Sequence, residues 1–171
     1  NQDDSADATL ANLNDFVGSV SYTGDLDFGT SNSDDSTTID QWLMSGGSYV
    51  VLGSGFDETL KISNPNISNN TALTTWFEFV VVGASFAFNV DHDDGFCFYE
   101  SGSQEICSVN PTSVTNTGGG SYDGGLFQLV YAATNGDPSI LRVNGDGNLS
   151  AVPLPAGILL LGTALGGLGI A

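Results

Sequence analysis

The sequence predicts an all-β fold, an antiparallel β-sandwich, followed by a C-terminal hydrophobic, transmembrane-like helix. Three observations predict it. Eight short stretches rich in β-branched and aromatic residues follow one another, punctuated by Gly, Asn, Asp or Ser, with no sustained helical period. Two cysteines flank a Ser-Gly-Ser turn signal at matching distances. Finally, Ala151 to Ala171 carry no charge at all, although the whole chain holds 20 acidic and 2 basic side chains.

The pattern divides the chain into a polar arm (1–15), a sandwich domain (16–150) and an apolar C-terminal segment (151–171). In the arm, Leu10, Leu13 and Phe16 are spaced for a short amphipathic turn. The expected strands are "VGSVSYTG", "SYVVLG", "ETLKIS", "TWFEFVVVG", "ASFAFNV", "GFCFYE", "GLFQLVYAA" and "SILRV". "TWFEFVVV" is apolar on both faces over its second half, as a central strand would be. "ASFAFNV" alternates, with Phe86, Phe88 and Val90 on one face. "IDQWLM" (39–44) reads as a short helix. The stretch "SVNPTSVTNTGGGSYDGG" reads as a long surface loop, because three consecutive glycines disfavour regular structure. Ser101-Gly102-Ser103 turns the chain so that Cys97 and Cys107 face each other on antiparallel strands, close enough for a disulfide.

Charge and compartment narrow the function. With Lys61 and Arg142 as the only basic side chains and a net charge of −18, nucleic acid is not expected as a partner, nor is charge-driven docking on anionic lipid. Divalent cations, basic proteins and neutral glycans fit better. Met44 is the only methionine, which leads us to expect that a signal peptide precedes Asn1 in the precursor. A disulfide agrees with export.

The densest polar constellation is "NVDHDDGFCFY". Asp91, Asp93 and Asp94 fall within four positions, and carboxylates so close repel one another unless solvated or bridged by a cation such as Ca²⁺. A weaker oxygen-rich set, Asn144, Asp146 and Asn148, spaces alternate ligands in "VNGDGNLS". The lone histidine, His92, is expected as a solvated loop residue. No Ser-His pair, free thiol nucleophile or phosphate loop stands out, so an enzyme is not expected.

"FAFNVDHDDGFCFYESG" followed by "YDGGLFQLVYAATNGDPSILRV" resembles the carbohydrate-binding β-sandwich domain first described in anthrax protective antigen. The likeness covers about residues 84–143. It implies that Asp93 and Asp94, which match the family's consecutive aspartates, hold a Ca²⁺ ion that binds sugar hydroxyls.

The tail carries a second resemblance. Val152, Pro153, Leu154, Pro155 and Ala156 introduce an uncharged span that, as a helix from Ala156, would cover about 24 Å of a roughly 30 Å hydrocarbon core. Gly162 and Gly166 give it a small-residue face for close helix packing. Proline pair, apolar span and position are similar to the PEP-CTERM sorting signal of Gram-negative bacteria in its Val-Pro-Leu-Pro-Ala variant. The resemblance implies export, anchoring in the inner membrane, processing by an exosortase-type enzyme, and delivery to the cell surface or extracellular matrix. In water such a tail needs cover, from membrane, other helices or neighbouring subunits. The expected function is therefore a non-enzymatic structural or adhesive surface protein, filament formation included, that is Ca²⁺-stabilised and glycan-binding. The competing expectation is an accessory subunit of a membrane complex, anchored by its C-terminal helix with the β-domain outside the cytoplasm.

Overall fold

A computed structural model of the chain describes residues 8–13, 18–23, 26–30, 36–51, 54–60, 74–109, 113–134 and 138–145. The C-terminal segment 151–171, with its sorting motif and Gly162 and Gly166, lies outside the described residues, as do Lys61, Asp146 and Asn148. Among the described residues no helix is long and apolar enough to cross a membrane.

The described chain is mostly β and antiparallel throughout. Its strands are β1 (Val20–Thr23), β2 (Asp27–Gly29), β3 (Ser48–Val51), β4 (Thr75–Asp93), β5 (Phe96–Glu100), β6 (Ser103–Ser108), β7 (Thr115–Ala133) and β8 (Ile140–Gly145), with one helix, α1 (Ile39–Met44), between β2 and β3. β1 and β3 form a two-stranded ribbon, and the other six strands run in the order β2-β8-β4-β7-β5-β6. β4 and β7, each 19 residues long, pair with one another almost end to end. β8 pairs with β4 at Phe88–Asp93, and β5 pairs with β7 at Phe127–Tyr131. Two four-stranded halves result, β2-β8-β4-β7 and β4-β7-β5-β6, built on the same pair of strands.

The halves meet face to face. Phe88 of one packs edge-on against Phe98 of the other at 4.5 Å, and Phe28 of β2 stacks on Phe79 of β4 at 5.4 Å. Inward positions on β4 change from odd (Phe77, Phe79) to even (Phe88, Val90), and the register against β7 is irregular at Phe88, between Ala87 and Asn89. Leu129, Tyr131, Leu141 and Phe96 complete the central core.

Helix α1 closes the core. Thr38 caps it with a reciprocal pair of bonds: Gln41 N–H to Thr38 Oγ1 (3.2 Å) and Thr38 N–H to Gln41 Oε1 (3.1 Å). Ile39, Trp42 and Leu43, spaced to share one helical face, are its buried residues. Trp42 stacks on Phe28 at 4.6 Å and on Tyr131 at 5.5 Å, and its indole N–H donates to the Ser139 carbonyl at 3.1 Å.

A smaller apolar cluster forms on the outer face of the second half, from Cys97, Tyr99, Val130 and Ala132. Of the amphipathic turn expected at Leu10, Leu13 and Phe16, a 3-10 turn over Leu10–Asn12 covers this cluster, with Ala8 fully buried, and Phe16 lies outside the described residues. Ala8, Leu10 and Leu13 are thus part of the packing. Cys97 and Cys107 are directly opposed, with Cα atoms 4.1 Å apart, and form the expected disulfide. Ser101 and Gly102, both at positive φ (50° and 84°), make the two-residue turn between β5 and β6.

One expectation is corrected. The stretch 108–125 is not a long loop: β7 starts at Thr115 and runs straight through Gly118, Gly119 and Gly120. A glycine run is a poor strand by itself, but β4 offers a ladder partner along this stretch, and cross-strand pairing overrides local propensity.

Candidate functional site

The polar constellation lies where β4 ends and turns into β5. Strand alternation sorts its members. Val90 and His92 point inward and are fully buried, while Asn89 and Asp91 are half-buried on the outer face. Asp93, 5% exposed, ends the strand, and Asp94, 1% exposed, stands in the turn. A cis peptide bond joins Asp93 and Asp94.

His92 is therefore not a solvated loop residue. It lies on β4 with 0% exposure, because the even positions of this stretch face the core. Its Nδ1 lies 2.6 Å from the Asp94 carbonyl oxygen, which only accepts, so Nδ1 carries the proton. Its Nε2 then accepts from the Thr117 hydroxyl on β7 at 2.8 Å. The ring meets the Phe96 ring edge-on at 4.6 Å. Burial lowers the His92 pKa below the ordinary histidine value; the Asp94 carbonyl and the Asp91 charge oppose that shift without cancelling it.

This shift has a sign that can be measured. The unfolded chain takes up a proton on His92 at higher pH than the folded chain does. Stability is then full above about pH 6.5 and falls as the pH drops below it, by up to about 1.4 kcal/mol per pH unit within the window between the two values. Urea midpoints of the native chain should decline from pH 7 to pH 5.5, and a His92→Gln variant should show a flatter profile there. A parallel decline in the variant would assign the effect to other groups.

β7 locks the turn from the other side. The Tyr131 hydroxyl donates to the Asp93 carbonyl at 2.5 Å, the Thr134 N–H donates to Asp94 Oδ2 at 2.8 Å, and the Ala132 N–H donates to the Gly95 carbonyl at 3.0 Å. Complete burial, then the negative charges of Asp94 and Asp93, push the Tyr131 pKa well up, so the phenol remains a donor. Ser139 Oγ, fully buried near this phenol, has no partner in hydrogen-bond geometry among the described residues. Carboxylate, carbonyl and hydroxyl oxygens thus gather at one end of the core. Among the described residues, no three His, Cys, Asp or Glu side chains are grouped to hold a metal ion by themselves.

Comparison with protein-family models, curated proteins and solved structures found no match.

The structure brings Asp91 to Asn144, from the other sequence constellation, at 3.0 Å. Sequence reasoning missed Thr117, Tyr131 and Thr134 as supports of the turn, and Asn89 and Asn116 as neighbours of Asp91. Thr117, Tyr131 and Asn116 reach the site through the pairing of β7 with β4, and Thr134 from just past the end of β7, whereas Asn89 stands two residues before Asp91 on the same strand. The one local signal available was the Thr-Asn-Thr alternation at 115–117, which reads as strand once the glycine run beyond it is discounted.

Proposed function

We propose that this chain is an exported, non-enzymatic protein of the bacterial cell surface or extracellular matrix. Its role in this reading is structural or adhesive, with Ca²⁺ at the β4–β5 turn. The observation that carries the reading is the pair of adjacent, almost fully buried carboxylates, Asp93 and Asp94, at the end of an antiparallel sandwich. Two neighbouring carboxylates in a low-dielectric site raise the cost of ionising both. A hard divalent cation removes that cost and takes carboxylate, carbonyl and hydroxyl oxygens together. Asp93 and Asp94 are also the residues to which the carbohydrate-binding resemblance assigns the ion, whose remaining positions would take glycan hydroxyls. The Cys97–Cys107 disulfide supports an oxidising destination. The Val152–Ala156 motif supports delivery through an exosortase-type enzyme.

Calcium dependence tests the metal part. At free Ca²⁺ about 100-fold above the dissociation constant, the folded state gains about 2.7 kcal/mol, a rise of several degrees in Tm that EDTA reverses. Asp94→Asn should abolish the rise. If neither Ca²⁺ nor EDTA moves the Tm, the metal part is wrong. Fractionation of cells tests the destination: shed or filamentous material supports the surface reading, whereas co-purification at fixed stoichiometry with one membrane complex replaces it by the accessory-subunit reading.

A further inference from the structure

On the outer face of the first half-sheet, three strands bring four polar heads together. Asn116 Nδ2, from β7, lies 2.9 Å from Asn89 Oδ1 and 2.5 Å from Asp91 Oδ1, both on β4. Asn144 Nδ2, from β8, lies 3.3 Å from Asn89 Oδ1 and 3.0 Å from Asp91 Oδ2. The register explains the convergence: Asp91 is directly opposite Asn116 on one side, and Asn89 is directly opposite Asn144 on the other. Three acceptor oxygens therefore face two carboxamides. A half-turn of each carboxamide about its last torsion exchanges Nδ2 for Oδ1 at almost the same place.

We propose that Asn89, Asp91, Asn116 and Asn144 form a Ca²⁺ site on this face, distinct from the Asp93/Asp94 turn. With the Asn116 and Asn144 carboxamides reversed, five oxygens converge: three amide oxygens and both oxygens of Asp91. Ligand oxygens around Ca²⁺ sit about 2.4 Å from the ion and roughly 3 Å from each other, which is the range of the spacings here. Water completes the shell on the solvent side. Without the ion, the same carboxamides donate to the same oxygens, so the site exists in two satisfied states.

The surrounding charges set its strength. Arg142 is directly opposite Asp91 on β8, but its Nε binds Asp27 Oδ1 on β2 at 2.8 Å, on the far side from Asp91. Asp91 supplies the only charge among the four ligands. A single carboxylate on an open face predicts binding in the range of about 10⁻⁴ to 10⁻³ M, typical of extracellular Ca²⁺ modules. Bound there, the ion cross-links β4, β7 and β8 through side chains.

This inference extends the calcium reading above but draws on different residues, and one titration distinguishes the two. Purified full chain is titrated with CaCl₂ by calorimetry while the asparagine side-chain amides are followed by NMR. The wild type should show a weak site whose filling shifts the Asn116 and Asn144 amide signals. Asp91→Asn and Asn144→Ala, both surface changes, should weaken that site at least tenfold and remove those shifts, while Asp94→Asn keeps them. Arg142→Gln should tighten it by no more than about threefold, through loss of a nearby positive charge that does not itself contact the ligands. If Asp91→Asn titrates like wild type, or if Asp94→Asn removes the Asn116 and Asn144 shifts, this site does not exist although the turn site stands. Absence of any Ca²⁺ binding at millimolar concentration overturns both.

Discussion

Replacing Trp42 by alanine is expected to bring the chain close to unfolding. The indole is fully buried, stacked between Phe28 and Tyr131, and its centroid lies 4.6 Å from that of Phe77. Truncating a buried tryptophan costs about 3–5 kcal/mol. The Ser139 carbonyl also loses one of its two donors, keeping only the Thr30 N–H at 3.2 Å, which adds about 0.5–1.5 kcal/mol. Against a total stability of about 5–15 kcal/mol, that is a large share. A fall in Tm of more than about 10 °C should follow in thermal melts monitored by circular dichroism. Trp42→Phe keeps most of the stacking and loses the indole donor, so about 1–2 kcal/mol is expected. If alanine costs only about 1 kcal/mol, α1 is an appendage rather than the plug of the core.

The second large effect is expected at Gly119. A Cβ there would lie 2.1 Å from the Phe88 carbonyl oxygen, a backbone atom that no rotamer change can move. The register explains the squeeze: Ala87 pairs with Ser121 and Asn89 with Gly118, so Phe88 is opposed by two residues of β7. Gly119→Ala should cost about 3 kcal/mol, the upper range for overpacking, and lower the urea midpoint accordingly. Gly118 is the internal control. A Cβ there meets nothing within 4 Å, and Gly118→Ala should be neutral or stabilising by about 0.4–1 kcal/mol through the unfolded chain. Equal effects at the two positions would mean that the bulge is not where the register puts it.

The fold was legible wherever a segment's own pattern decided its structure. "IDQWLM" is helical over its full length, because Thr38 and Gln41 supply a capping pair and Ile39, Trp42 and Leu43 one apolar stripe. The Cys97–Cys107 hairpin follows from its central turn. Reading failed where the partner strand decided. "TWFEFVVVG" and "ASFAFNV" look like two strands broken at Gly83, yet they form one. Gly83 is paired with Gly125 and Ala84 with Gly124, so small residues meet small residues and the ladder does not break. β2, only three residues long, has no period of its own and exists because β8 offers it an edge. "ETLKIS" showed the converse: within its described residues, 58–60, only an isolated bridge from Thr59 to Thr38 forms.

The candidate site divides in the same way. Aspartates 91, 93 and 94 were visible as a cluster, but their burial was not: Asp93 and Asp94 are almost fully buried, whereas Asp91 is half-buried. His92 seemed wet because its neighbours are acidic; its parity on β4 buries it. Asn89 and Asn116 do not stand out in sequence, Asn144 stood out only in a different set, and the three become a group through the pairing of three strands.

The shared strands also bear on how the molecule comes apart. Most β-sandwiches have a seam between sheets that belong to different strands, along which one layer can peel from the other. Here β4 and β7 belong to both layers. Separating the layers means tearing the same ladder that holds each of them together, so neither half has a folded existence without the other. Loss of structure at the Trp42 end and at the Trp76 end should then be a single all-or-none event, and a pulling force should meet one abrupt yield instead of a staircase of partial openings.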